Sequence, residues 1–146
     1  MISFLKLNLN LKKLNVIKLI KNQSNIIVLT LTEKCTLSNP LFLFRFINDE
    51  SKVSYTFIAQ DNSLHPDRYN RFTITEKLNP TLTLSEVYLP LNGFYSYEIY
   101  EQTSPTNLNY TLATGIVETG KVKVIGTARS TTAYDNQTKI NIIYNG

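Results

Sequence analysis

One histidine and one cysteine set the chemical limits of this chain. A site built on several histidines and an intrachain disulfide are both excluded by count. Cys35 and His65 have the residue types of a nucleophile and its base, but neither lies in a motif that serves that role. His65 precedes Pro66 in a polar stretch and reads as a solvated turn residue. Cys35 reads as a small buried hydrophobe within a strand. The run Asp61-Asn62-Ser63-Leu64-His65-Pro66-Asp67 gathers oxygen ligands as a calcium loop does. Such a loop needs Gly at its sixth position and Glu at its twelfth, and here Pro66 and Phe72 stand there. A surface loop held by Asx turns is the expectation. Glu76, Glu86, Glu98, Glu101 and Glu118 are scattered at strand ends, without the paired placement of a glycosidase. No glycine-rich loop could cradle a phosphate. Neither cofactor nor metal is expected, and the chain does not read as an enzyme.

The residues suited to recognition are more promising. Arg45 interrupts the apolar run Leu41–Ile47, and Arg68 and Arg71 bracket Tyr69-Asn70 where a strand opens. Arginine and tyrosine are enriched at protein interfaces. The competing reading is internal, with Arg45 paired to an acid and its stem laid on apolar neighbours. Tyr95 and Tyr97 share one face of a strand, and Phe94 and Tyr100 share the other. One face enters the core and the other is left for a partner, which makes Tyr95 and Tyr97 candidate contacts. The chain has no Trp for stacking on a sugar. Its net charge of +4 is unevenly placed, because Lys6, Lys12, Lys13, Lys18 and Lys21 all precede the first acid, Glu33. The rest of the chain is nearly neutral. The lysine-bearing segment has three readings: a solvated strand face, a partner-binding arm in an assembly, or a nucleic-acid contact. Single-strand binders interleave aromatic residues with basic ones, and Phe4 is the sole aromatic before Phe42. Contact with nucleic acid or a membrane is therefore not expected.

These residues need a scaffold, and the composition supplies one. At 146 residues the chain fits a single domain. Thr, Ile, Val, Tyr and Phe are plentiful, while Ala occurs only at positions 59, 113, 128 and 133. Such a mix suits strands over helices. Leu5, Leu7, Leu9 and Leu11 alternate with Lys6, Asn8 and Asn10, and the phase slips at Lys12-Lys13, where a bend or bulge is expected. Further strands are expected over 26–35, 41–47, 53–59, 69–76, 82–89, 94–100, 108–117, 122–126 and 139–144. Asn92-Gly93 marks a hairpin and Thr119-Gly120 a turn. Many short strands at this spacing predict an all-β, immunoglobulin-like antiparallel β-sandwich. A basic N-terminal strand arm or hairpin over 1–24 would precede a sandwich body over 25–146. No signal peptide is expected, and no run is long and apolar enough to span a membrane.

Four stretches carry a resemblance. They are Leu37-Ser38-Asn39-Pro40-Leu41-Phe42-Leu43-Phe44-Arg45-Phe46, Arg68-Tyr69-Asn70-Arg71-Phe72, Gly93-Phe94-Tyr95-Ser96-Tyr97-Glu98-Ile99-Tyr100-Glu101-Gln102 and Gly115-Ile116-Val117-Glu118-Thr119-Gly120. Together, over roughly residues 25–128, the chain resembles the small virion structural proteins of crAss-like tailed bacteriophages. These are strand and turn patterns, with no catalytic signature among them. The resemblance implies an auxiliary capsid protein or a connector, located in the virion and made in the host bacterial cytoplasm. Its partners would be other virion proteins, capsid or tail subunits, with a homo-oligomer as a further possibility.

Overall fold

The structure, a computed structural model, describes residues 16–126. Lys6, Lys12 and Lys13, the alternating run at 5–11 and the strand expected at 139–144 lie outside the described residues. Eight strands follow in chain order: β1 (Val16–Ile20), β2 (Ser24–Leu29), β3 (Leu41–Asn48), β4 (Ser54–Ala59), β5 (Asn70–Glu76), β6 (Glu86–Val87), β7 (Gly93–Gln102) and β8 (Gly115–Ile125). Two short 3-10 turns, Thr32–Lys34 and Tyr110–Leu112, complete the regular structure.

The strands form two sheets, one in the order β1-β8-β7-β3-β4 and the other β2-β5-β6. Both sheets contribute to a single core, so the all-β, sandwich-like expectation stands. The antiparallel expectation needs correcting at two seams, because β1 runs parallel to β8 and β5 parallel to β6. The core is aromatic at its centre. Phe44 of β3 stacks on Phe57 of β4 at 5.3 Å and meets the edge of Phe72 from the other sheet at 5.1 Å. Each such buried side chain stabilises the fold by about 1.5–3 kcal/mol. Leu43, on the opposite face of β3 from Phe42 and Phe44, is also fully buried. That is why the run at 41–47 is apolar nearly throughout.

Residues 16–20 belong to this body. β1 follows the register Val16↔Lys121 to Ile20↔Ile125, and its Ile17 and Leu19 enter the core. Dividing the chain into arm and body after residue 24 is thus corrected, because β1 closes one end of the larger sheet.

Three local expectations also change. The strand foreseen over 26–35 stops at Leu29, where the chain turns through Thr32–Lys34, so Cys35 lies half-buried beyond the strand. The stretch 108–117 is mostly loop, and β8 runs unbroken through Thr119-Gly120, where a turn was expected. A Cβ on Gly120 would stand 2.5 Å from the Tyr97 ring, so this glycine makes room for an aromatic neighbour. Asn92-Gly93 joins the two sheets instead of closing a hairpin, although Gly93 does adopt a positive φ of 110°.

Sheet edges are treated unequally. β4 is covered, since the Ile58 amide donates to the Leu82 carbonyl at 2.7 Å and the Ser85 amide donates to the Ile58 carbonyl at 2.9 Å. β6 is only two residues long. On β1, the Asn25 side chain accepts from the Ile20 amide and donates to the Ile20 carbonyl, each at 2.9 Å. β2 has no such cover among the described residues. The Glu76 amide donates to the Gln23 carbonyl. Alternation from that bond turns the main-chain groups of Ser24, Ile26 and Val28 away from β5. Ile26 and Val28 are 60% and 57% exposed on the same strand. β2 carries no lysine, proline or bulge, the usual guards of an open edge.

Candidate functional site

The candidate carboxylates serve as structural ties. Glu101, 3% exposed, accepts from the amides of Thr36 and Leu37 and from the Thr36 hydroxyl. Glu76, 1% exposed, accepts from the amides of Asn22 and Leu89. Glu118 joins Lys34, at 2.6 Å, to the Tyr97 hydroxyl, at 2.7 Å. Asp61 accepts from the Ser63 amide in an Asx turn, and from the Arg71 amide and the Asn70 side chain. The loop at 61–67 is therefore held as its Asp and Asn content implied. Cys35 donates to the Leu31 carbonyl, and burial, with Glu101 adding a smaller effect, pushes its thiol up to about 11. His65 lies on the surface against Tyr69.

Several residues expected to meet a partner are turned inward. Tyr95 and Tyr97 are fully buried, so their face of β7 is the core face and they are corrected to core residues. Burial raises the pKa of both hydroxyls. Tyr95 donates to the Leu91 carbonyl, and Tyr97 to Glu118. Arg45 is likewise engaged within the molecule. Its guanidinium pairs with Glu98 at 2.7 Å and lies 4.1 Å over the Tyr110 ring. Tyr100 donates to the same carboxylate. Burial opposes the Glu98 charge, but Tyr100 and Arg45 outweigh it and hold the carboxyl below its ordinary value. Burial also pushes the Tyr100 hydroxyl up, to about 12, with Glu98 adding to it. The cluster fastens the loop before β8 onto the outer face of β3 and β7.

The remaining candidates separate. Lys21 bends toward Pro90, whose carbonyl accepts from it at 3.1 Å, and lies over the Tyr88 ring. Arg68 is exposed beside the 61–67 loop. Arg71 lies on β5 across from Val28, in the smaller sheet. Lys18 lies on the outer face of the larger sheet. These residues do not form one site.

Lys18 has companions that the sequence reading missed. Its register partner on β8 is Lys123, and Lys121 lies two residues earlier on the same face. All three are exposed. Lys121 pairs with Asp49 at 2.8 Å. That bond, against a small desolvation effect and with help from Ser96 and Lys52, holds Asp49 below its ordinary value. Phe94 of β7, 46% exposed, sits beside Lys123, whose ammonium lies 5.6 Å from the ring centroid. The alternation Lys121-Val122-Lys123-Val124 does show two lysines sharing a strand face. It does not show that Lys18 joins them.

Two clefts accompany these surfaces. One, of about 420 Å³, opens between β1 and β2 beside Lys34 and Glu118. The other, of about 520 Å³, lies between the 61–67 loop and the start of β3, with Asp61, Asp67 and Asn70 in its wall. Among the described residues no group of three or more His, Cys, Asp or Glu is placed to hold a metal ion, and no helix is long and apolar enough to cross a membrane. No family model, curated protein or solved structure matches this chain.

Proposed function

We propose that this chain is a non-enzymatic virion structural protein, an auxiliary capsid protein that docks on the major capsid shell through an immunoglobulin-like sandwich. The observation that carries the reading is the division of its polar groups. Glu76, Glu98, Glu101, Glu118 and Asp61 are committed to holding loops and strands. Among the described residues, the lysine face and the β2 edge are left to the surface. The strand order favours the immunoglobulin-like type. β8-β7-β3-β4 follows the order G-F-C-C′ of such domains, and β2-β5 follows B-E. The parallel β6 departs from that plan.

The test is co-sedimentation of the full-length protein with shells assembled from the major capsid subunit. Saturable binding at a fixed copy number per shell is expected. A protein left in the supernatant at micromolar concentration would refute the reading. An alternative, a tail-, neck- or fibre-associated connector or a receptor- or glycan-binding module, is favoured by the cleft beside the 61–67 loop, where Leu64 stands 84% exposed. Binding to tail components with none to shells would select it.

A further inference from the structure

We propose that the outer face of β1 and β8 binds an acidic, extended segment of a partner protein. This deepens the docking role just given and rests on it. Lys18 and Lys123 are register partners on adjacent strands, and no acid pairs with either among the described residues. Like charges facing each other across a ladder disfavour strand pairing, so this arrangement weakens the β1–β8 ladder. An anionic occupant would turn it into an attraction. Lys121 stands on the same face but is paired with Asp49, so Lys18 and Lys123 carry its unmatched charge. Val16 and Phe94, 52% and 46% exposed, stand among the lysines as apolar contacts.

The form of the occupant follows from the adjacent edge. The Lys21 amide donates to the Ile125 carbonyl, so the odd positions of β1 bond to β8 and the even ones face away. Asn25 occupies the outward groups of Ile20. Among the described residues nothing bonds to those of Val16 and Lys18, which are placed to receive a neighbouring strand. An extended peptide beside them gains main-chain hydrogen bonds, and its acidic side chains fall on the lysine face. A nucleic acid would lack those main-chain bonds and, among the described residues of this face, would find one aromatic ring, Phe94, where single-strand binders offer several.

The experiment titrates full-length protein with a labelled octapeptide of alternating Glu and Val, with its Gln-Val counterpart, and with an oligothymidylate of equal charge. The Glu-Val peptide should bind with an affinity that falls as salt rises, and the Gln-Val peptide should not. Lys18→Gln and Lys123→Gln should each weaken binding at least fivefold with an unchanged circular dichroism spectrum, while Lys77→Gln on the other sheet leaves it unaltered. Failure of the Glu-Val peptide to bind, equal binding by all variants, or tighter binding of oligothymidylate that the same variants abolish would each overturn the proposal. The Lys18→Gln/Lys123→Gln protein is also sedimented with shells. If wild type binds shells and the variant binds equally, the face is refuted and the docking role survives. If wild type binds the peptide but not the shells, the docking role fails and the face stands.

Discussion

Replacing Glu101 by Gln tests whether a buried carboxylate holds the turn that follows β2. Glu101 sits near the end of β7, 3% exposed, and takes hydrogen bonds from the Thr36 amide at 3.0 Å, the Leu37 amide at 2.9 Å and the Thr36 hydroxyl at 2.9 Å. Gln preserves size. Its single carbonyl oxygen can still accept, but its NH₂ group then faces a donor. Hydrogen bonds to a charged group contribute about 1.5–3 kcal/mol each. With part of the set retained, the variant should lose roughly 2–4 kcal/mol. At about 3 °C per kcal/mol for a domain of this length, Tm should drop by roughly 6–12 °C.

The pH dependence adds an independent check. Burial alone would raise the Glu101 pKa, but the bonds from Leu37 and Thr36 outweigh it and hold the carboxyl below its ordinary 4.5. A group with a depressed folded-state pKa stabilises the fold above its unfolded value and loses that contribution as pH falls through the folded value. The gap between wild type and Glu101→Gln should be full at neutral pH and shrink as pH falls below about 4.5. Thermal unfolding followed by circular dichroism across this range measures both. Equal Tm values at neutral pH, or a gap that persists unchanged into acid, would refute the reasoning.

Gly120→Ala should destabilise by roughly 1–3 kcal/mol, the usual range for overpacking, because the new methyl meets the Tyr97 ring. In urea unfolding its effect should be smaller in a Tyr97→Leu background, giving a non-additive cycle. Asn70→Ala removes the acceptor of the Leu31 and Thr32 amides and a donor to Asp61. A loss of about 2–3 kcal/mol is expected, together with faster amide exchange at Leu31. Removing residues 1–22 deletes β1 and should leave Ile17- and Leu19-facing core exposed, read as dye binding and a lowered Tm.

Much of the architecture was legible because burial leaves a mark on composition. β3 reads as a central strand because both its faces are covered, and Phe72 and Ile74 alternate inward as their pattern implied. The parity of Tyr95 and Tyr97 was equally visible. Parity says which residues share a face, however, and not which face meets the core. Gly120 looked like a turn because its real constraint, the Tyr97 ring, lies on another strand. The lysine face was hidden for the same reason. Lys18 and Lys123 are brought together by a parallel pairing between the first and last described strands, and no local pattern encodes such a partnership. The buried carboxylates were visible only as scattered acids, since their donors are main-chain amides, which every residue but proline possesses.

That first-to-last pairing has a consequence during synthesis. β1 leaves the ribosome before its partner, Lys121–Ile125, which is made about a hundred residues later. At roughly 5–20 residues per second, the delay is on the order of 5–20 s. For that time Ile17 and Leu19 lack the β8 strand they pair with, and the nascent chain presents an unpaired apolar strand. Production of the protein should therefore depend on whatever shields that segment until β8 arrives, more than on the stability of the finished sandwich.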